Sequence, residues 1–140
     1  MKLMKLIKYF EEFEASNVYN IDRKNRFNVE KGPYTGSWDV SYHTKKGKGK
    51  ASVFTNESGF KGKFIDISKM MVNELFLFGI ETTPSNLGIG RDFLKDIFEY
   101  FDVDRIYFYS LLTHPVWNKI ATRRRDDGVY ASFTLTKDQL

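Results

Sequence analysis

The sequence predicts an α/β (α+β) fold, with one mixed, mostly antiparallel central sheet flanked by helices. Three observations carry this. Trp38, Val40 and Tyr42 alternate with Asp39, Ser41 and His43, the period of a half-buried strand. Residues 74–80 (ELFLFGI) are almost continuously apolar, as suits a strand buried on both faces at the centre of a sheet. Phe93, Leu94, Ile97, Phe98 and Phe101 mark one helical face, with Arg91, Asp92, Lys95, Asp96 and Glu99 on the other.

The remaining elements follow in order. Leu3, Leu6, Ile7, Phe10 and Phe13 have helical spacing, so residues 1–16 read as an amphipathic helix. A short edge strand over residues 1–6 is the alternative. Residues 17–34 are polar and irregular, ending in Gly32-Pro33. Residues 45–50 (KKGKGK) read as a glycine-broken turn, and 51–56 as the returning strand. Residues 57–59 turn into a third strand candidate over 61–67. After the central strand and its helix, residues 105–112 (RIYFYSLL) form another strand. Pro115 suits the first turn of a helix running to about Arg125. Gly128 ends that helix, and residues 129–136 form a last strand.

Length and composition bound the function. The 140 residues suit a single domain, and a 41% hydrophobic fraction is that of a globular chain. With no cysteine, disulfides and thiolate metal sites are excluded. The two histidines, His43 and His114, are far apart, so no metal site is expected. The N-terminus has no apolar run long enough for a signal peptide or a membrane span, which leads us to expect a cytoplasmic protein.

Charge is uneven. The net charge is +4, and residues 45–63 hold six lysines against one acid, Glu57. Lys45, Lys46, Lys48 and Lys50 crowd one short turn. They read either as edge protection or as a landing site for phosphate groups, nucleic acid included.

The stretch TTPSNLGIGRDFLKDIF, residues 82–98, places Gly-Ile-Gly in front of the clearest helix. Backbone N–H groups at a helix start favour an anion, and glycine lets the backbone approach it closely. Ordinary turn chemistry explains the same residues. Neither the dinucleotide fingerprint, which lacks its third glycine here, nor the P-loop is present.

Strand, Gly-x-Gly turn, helix, strand and further helix resemble the cofactor half of the GNAT acetyltransferase superfamily. The likeness covers about residues 72–130: ELFLFGIETTPSNLGIGRDFLKDIF, then DRIYFYSLL, then HPVWNKIATRRRDDGVY. It implies an acyl-CoA-dependent N-acyltransferase that uses acetyl-CoA or another acyl-CoA and acts on an amine acceptor. By resemblance, Leu87, Gly88, Ile89, Gly90 and Arg91 form the pyrophosphate loop. Ile80, Glu81 and Thr82 would pair with the pantetheine through their backbone. Asn118 and Trp117 read as lining the cofactor side, with core packing the alternative for Trp117. Ser85 stands where the family motif opens with Gln or Arg. Ala121 stands where the family often has the tyrosine that protonates the leaving thiolate. With one C-terminal strand in place of the family's two, a partner chain, such as a second copy, could complete the sheet.

Acyl transfer needs a base for the amine proton. Glu74 resembles, by its offset from Gly88, the general base of the histone acetyltransferase branch. Glu81, at the far end of the same strand, competes with it. Tyr107 and Tyr109 alternate with core positions and are expected to face the cleft or to cap the core. His114 reads as a capping residue, and Arg123–Arg125 as a last helical turn. The segment NELFLFGIETTPSN also weakly resembles phage Mom-type DNA modification proteins through Pro84 and Asn86. That likeness implies a DNA base as acceptor, with the lysine turn on the backbone. A non-catalytic module binding nucleic acid or protein is the third reading.

Overall fold

The computed structural model describes residues 23, 25–62, 66–85 and 87–140. Its strands are β1 (Phe27–Lys31), β2 (Ser37–Thr44), β3 (Gly47–Phe54), β4 (Glu74–Thr83), β5 (Arg105–Leu111), β6 (Thr122–Asp126) and β7 (Tyr130–Thr136). Helix α1 spans Leu87–Phe101, and α2 is one turn, Trp117–Ile120. The strands form one sheet in the order β1-β2-β3-β4-β5-β7-β6. Among the described residues, only β4 and β5 pair in parallel. A parallel pair needs a crossover, and α1 supplies it. The sheet is therefore mixed and mostly antiparallel, with β4 at its centre. Among the described residues, no helix is long and apolar enough to cross a membrane.

The main core lies between the sheet and α1. Phe93, Leu94, Ile97 and Phe98 are buried against Val40, Tyr42, Val53, Leu75, Leu77, Ile106 and Phe133. On the opposite face, Phe54, Ile67, Met70 and Phe76 form a smaller cluster joined by Tyr107 and Tyr109. Alternation along β4 and β5 divides the two: Leu75, Leu77, Ile106 and Phe108 face α1, and Phe76, Tyr107 and Tyr109 face away.

The helical wheel puts Asp96 in solvent, but it is 1% exposed. Arg26, just before β1, holds it through two hydrogen bonds of 2.8 and 2.9 Å. A buried carboxylate requires such a partner, and the bidentate guanidinium clamps the sheet edge to α1.

Four other sequence expectations are corrected. Residues 27–31 form β1 within a segment read as irregular. Phe27 is buried and Val29 packs on the core, while Asn28 and Glu30 face away, a period hidden by the polar composition. The KKGKGK turn is only Lys45-Lys46, and Gly47 and Gly49 belong to β3. Those glycines make room for α1, since a Cβ at Gly49 would meet the Phe93 ring at 2.6 Å and one at Gly47 would meet Ile89 at 2.7 Å. Over 61–67 the described residues make a single bridge, Lys61 to Asp66, followed by the 3₁₀ turn Ile67–Lys69.

The last correction concerns residues 115–125. The helix ends at Ile120 because Ala121 is already extended, and 122–126 then form the edge strand β6 against β7. All five residues of β6 are exposed, and their charges discourage further pairing. The hairpin turns at Gly128, whose φ of 92° suits glycine. Both C-terminal strands thus come from this chain, so the sheet is not one strand short. The helix expected over residues 1–16 lies outside the described residues.

Candidate active site

The site begins with one extra residue in β4. Val53 pairs with Leu77 and Ser52 with Gly79, so Phe78 is bulged out of the ladder and stands 65% exposed. Pairing between β4 and β5 stops at the same level, with Leu77 opposite Phe108. β4 runs on along β3 to Thr83, and β5 runs on along β7 to Leu111. The two central strands part there, as a strand bends at a bulge.

A cleft of about 530 Å³ opens where they part, within the range of small-ligand sites. Ile80, Glu81, Thr82 and Thr83 of β4 form one wall, with Ser85 just beyond. Gly90, Arg91 and Leu94 of α1 line it from below, and His114, Val116, Trp117 and Ile120 line it across from β4. Helix α1 starts at Leu87, so the Gly-x-Gly pair is its first turn and not a loop before it. The positive end of the helix dipole therefore lies at the cleft.

Two features of that first turn suit an anionic, closely held ligand. A Cβ at Gly90 would meet nothing within 4 Å, so glycine there leaves cleft space open. Arg91 Nε is buried and has no hydrogen-bond partner among the described residues. An orphaned guanidinium N–H is costly, and an acceptor in the cleft would relieve it.

Other sequence-selected residues lie as follows. Ile89 is 5% exposed and faces the core. Gly88 is exposed, and Leu87 opens the helix. Asn118 lies outside the cleft lining and donates to the Leu112 and His114 carbonyls, bracing the turn before α2. Glu74 stands at the end of β4 away from the cleft. Its carboxylate accepts from Tyr107 Oη at 2.5 Å and Met71 N at 2.9 Å, and lies 3.6 Å from Arg105 Nη1. Burial, followed by this bond to Glu74, raises the Tyr107 pKa above the usual phenol value. Tyr109 packs edge-on against Phe76 at 5.3 Å, its hydroxyl beside Gly62. Both tyrosines thus face the smaller cluster and not the cleft, because they share a face of β5 opposite to Ile106 and Phe108. Asn86 lies outside the described residues.

His114 combines two roles. Its Nδ1 accepts from the Val116 and Trp117 amides at 3.2 and 3.3 Å, so it caps α2, and its ring stacks on Trp117 while lining the cleft. With Nδ1 occupied as an acceptor, the neutral ring carries its proton on Nε2. Thr83, Leu94, Val116 and Ile120 are cleft residues that the sequence reading did not select. Their positions beside the strand end and helix start were the available signal.

The lysine turn meets the cleft from the other side. Lys48 pairs with Thr83, and Gly47 sits against Thr83, Pro84 and Ile89. The turn residues Lys45 and Lys46 therefore stand beside the start of α1, while Lys48, between Gly47 and Gly49, projects from the other face of β3. Among the described residues, no group of three His, Cys, Asp or Glu could hold a metal ion.

No family model matches the chain, and no curated protein matches it. In structure it is similar to the N-acetyltransferase PseH of Campylobacter jejuni, solved in complex with acetyl coenzyme A. The TM-score is 0.47 and the identity 11%, over 91% of this chain and 82% of that one. A second solved structure, also assigned as an acetyltransferase, gives a TM-score of 0.41 and 16% identity over 77% of this chain, which spans 62% of that protein's length.

Proposed function

We propose that the protein transfers an acyl group from an acyl-coenzyme A to an amine. The observation that carries the reading is the parting of β4 and β5 over the first turn of α1, where Arg91 Nε is buried without a hydrogen-bond partner among the described residues. An acyl-CoA is long, has a pyrophosphate near its middle and carries amide groups along its arm. A strand wall leading to a helix N-terminus suits both features. In this reading the β4 backbone over Ile80, Glu81 and Thr82 pairs with the arm. The first turn of α1, with Gly88, Gly90 and Arg91, holds the pyrophosphate. Lys45 and Lys46 hold the 3′-phosphate.

The donor supplies an activated acyl carbon as a thioester. The amine nitrogen forms a bond to that carbon, the carbon–sulfur bond breaks, and the sulfur leaves as a thiol. Glu81, in the cleft wall, takes the proton that the nitrogen loses. His114 Nε2–H donates a hydrogen bond to the departing sulfur, and water supplies the proton that makes it a thiol. Glu74 is a weaker base candidate because its oxygens already serve Tyr107, Met71 and Arg105.

The test is steady-state thiol release from acetyl-CoA with a panel of amines. Glu81→Gln should keep acetyl-CoA affinity and lower turnover by ~10²–10⁴, the usual contribution of a general base. Equal turnover in Glu81→Gln, with the loss appearing in Glu74→Gln, would reassign the base.

A further inference from the structure

Among the described residues no α-helix covers the face of the sheet opposite α1 over β1–β4, and two depressions lie there beyond the cleft. The nearer, about 560 Å³, is lined by Glu30, Asp39, Lys50 and Glu81, among others. It shares Ile80 and Glu81 with the cleft. The farther, about 620 Å³, is lined by Tyr34, Phe54, Phe60 and Phe78, and shares Asp39 and Ser52 with the nearer one. The three therefore adjoin one another in the order cleft, acidic patch, aromatic box.

Each end has its own chemistry. In the middle depression three carboxylates face one ammonium, Lys50, which sits across from Glu81 in the strand register. The excess negative charge favours a cation. In the box, Phe54 is the buried floor, with Phe60 stacked on it at 5.8 Å, Tyr34 at 6.5 Å and Phe78 edge-on at 5.9 Å. Tyr34 and Phe78 are 69% and 65% exposed, unusual for rings in a chain that buries most of its phenylalanines. The bulge in β4 turns Phe78 outward, so the irregularity that parts the strands also builds the box. Along β3, Lys50 and Phe54 are four residues apart, or about 13 Å at strand rise.

We propose that the acceptor is an elongated aromatic amine. Its ammonium end passes Asp39 to reach Glu81, and its ring lies in the Tyr34–Phe54–Phe60–Phe78 box. This inference rests on the acyltransferase reading and names the substrate class of the same site. Charge complementarity selects the amine end, and continuity with the cleft sets its direction.

Dansylcadaverine, a pentyl diamine with a naphthalene ring at its far end, is a direct probe, and cadaverine is its ring-free control. The full chain should enhance and blue-shift the dansyl emission. It should also acetylate dansylcadaverine with a kcat/KM about tenfold or more above that for cadaverine, the scale of burying a ring among rings. Phe78→Ser and Tyr34→Ser, at exposed positions, should each weaken probe binding about tenfold. Acetyl-CoA affinity in the same preparations reports that the cleft is intact. Equal kcat/KM for the two amines, or unchanged probe binding in both variants, overturns the aromatic acceptor and leaves the acyltransferase standing. Failure of the wild-type protein to bind acetyl-CoA overturns both.

Discussion

Gly49 of β3 lies directly under the ring of Phe93 of α1, so closely that a Cβ would stand 2.6 Å from the ring's Cδ2. Phe93 is fully buried and is also stacked on Tyr42 at 5.2 Å, so it cannot swing aside. Gly49→Ala should therefore destabilise the fold by ~1–3 kcal/mol, the scale of overpacking a filled core. Urea denaturation checks this, and wild-type stability in the variant would mean that α1 is not seated on β3 as described.

The pair between Asp96 and Arg26 makes a second stability prediction. Asp96→Ala should cost ~3–5 kcal/mol, because the remaining Arg26 charge loses its bidentate partner at a largely buried site. Replacing both residues together, as Arg26→Met with Asp96→Leu, should restore much of the loss. Thermal unfolding of the single and double variants decides it, and a double variant no better than the single would contradict the assignment.

Stability should also fall in alkali. Burial first, and the nearby Asp92 and Asp96 next, raise the Tyr42 pKa; burial and the bond to Glu74 raise that of Tyr107. The fold thus favours the protonated phenols. Their contribution is fully present below the unfolded value, about 10, and is lost as pH rises through the higher folded values. Urea midpoints should hold to about pH 9 and decline beyond pH 10, with a shallower decline in Tyr107→Phe. A decline equally steep in that variant would remove Tyr107 from the account.

Much of this was legible in the sequence, and the failures share a cause. The period-two pattern of β2, the apolar run of β4 and the amphipathic face of α1 are set by burial, which leaves a direct trace in residue type. Ile80, Glu81, Thr82, Gly90 and Arg91 were selected through the resemblance to the GNAT superfamily, and they line one cleft. The glycines of KKGKGK were misread because their task is to admit Phe93 and Ile89, residues about forty positions away. Asp96 was placed in solvent because its partner Arg26 precedes β1. The arginines of β6 read as a helix end, since an exposed edge strand has no buried face to betray its period. Glu81 and Glu74 could not be separated by spacing. The parting of β4 from β5 separates them, and it depends on the unpaired Phe78.

The lysine turn gives a prediction about specificity. If Lys45 and Lys46 hold the 3′-phosphate, the wild-type protein should bind acetyl-CoA more tightly than its 3′-dephospho form. Conversion of both to Gln should abolish the preference and flatten its salt dependence, with little change in stability. Titration at two salt concentrations measures this. A preference that survives in the double variant would contradict it, and lost affinity for DNA alone, with a slope change of about 0.9 per duplex phosphate contact, would favour nucleic acid as the partner.

The most direct test of the central claim is calorimetric titration of acetyl-CoA into the wild-type protein and Gly90→Val. Gly90 lies in the first turn of α1, and a side chain there projects into open cleft space, so the variant should fold. The account predicts saturable one-to-one binding to the wild type. It also predicts that Gly90→Val binds more weakly by ~1–3 kcal/mol, through loss of close backbone contact with the ligand. Equal affinity in the two proteins, or no binding by the wild type at low salt, would contradict it.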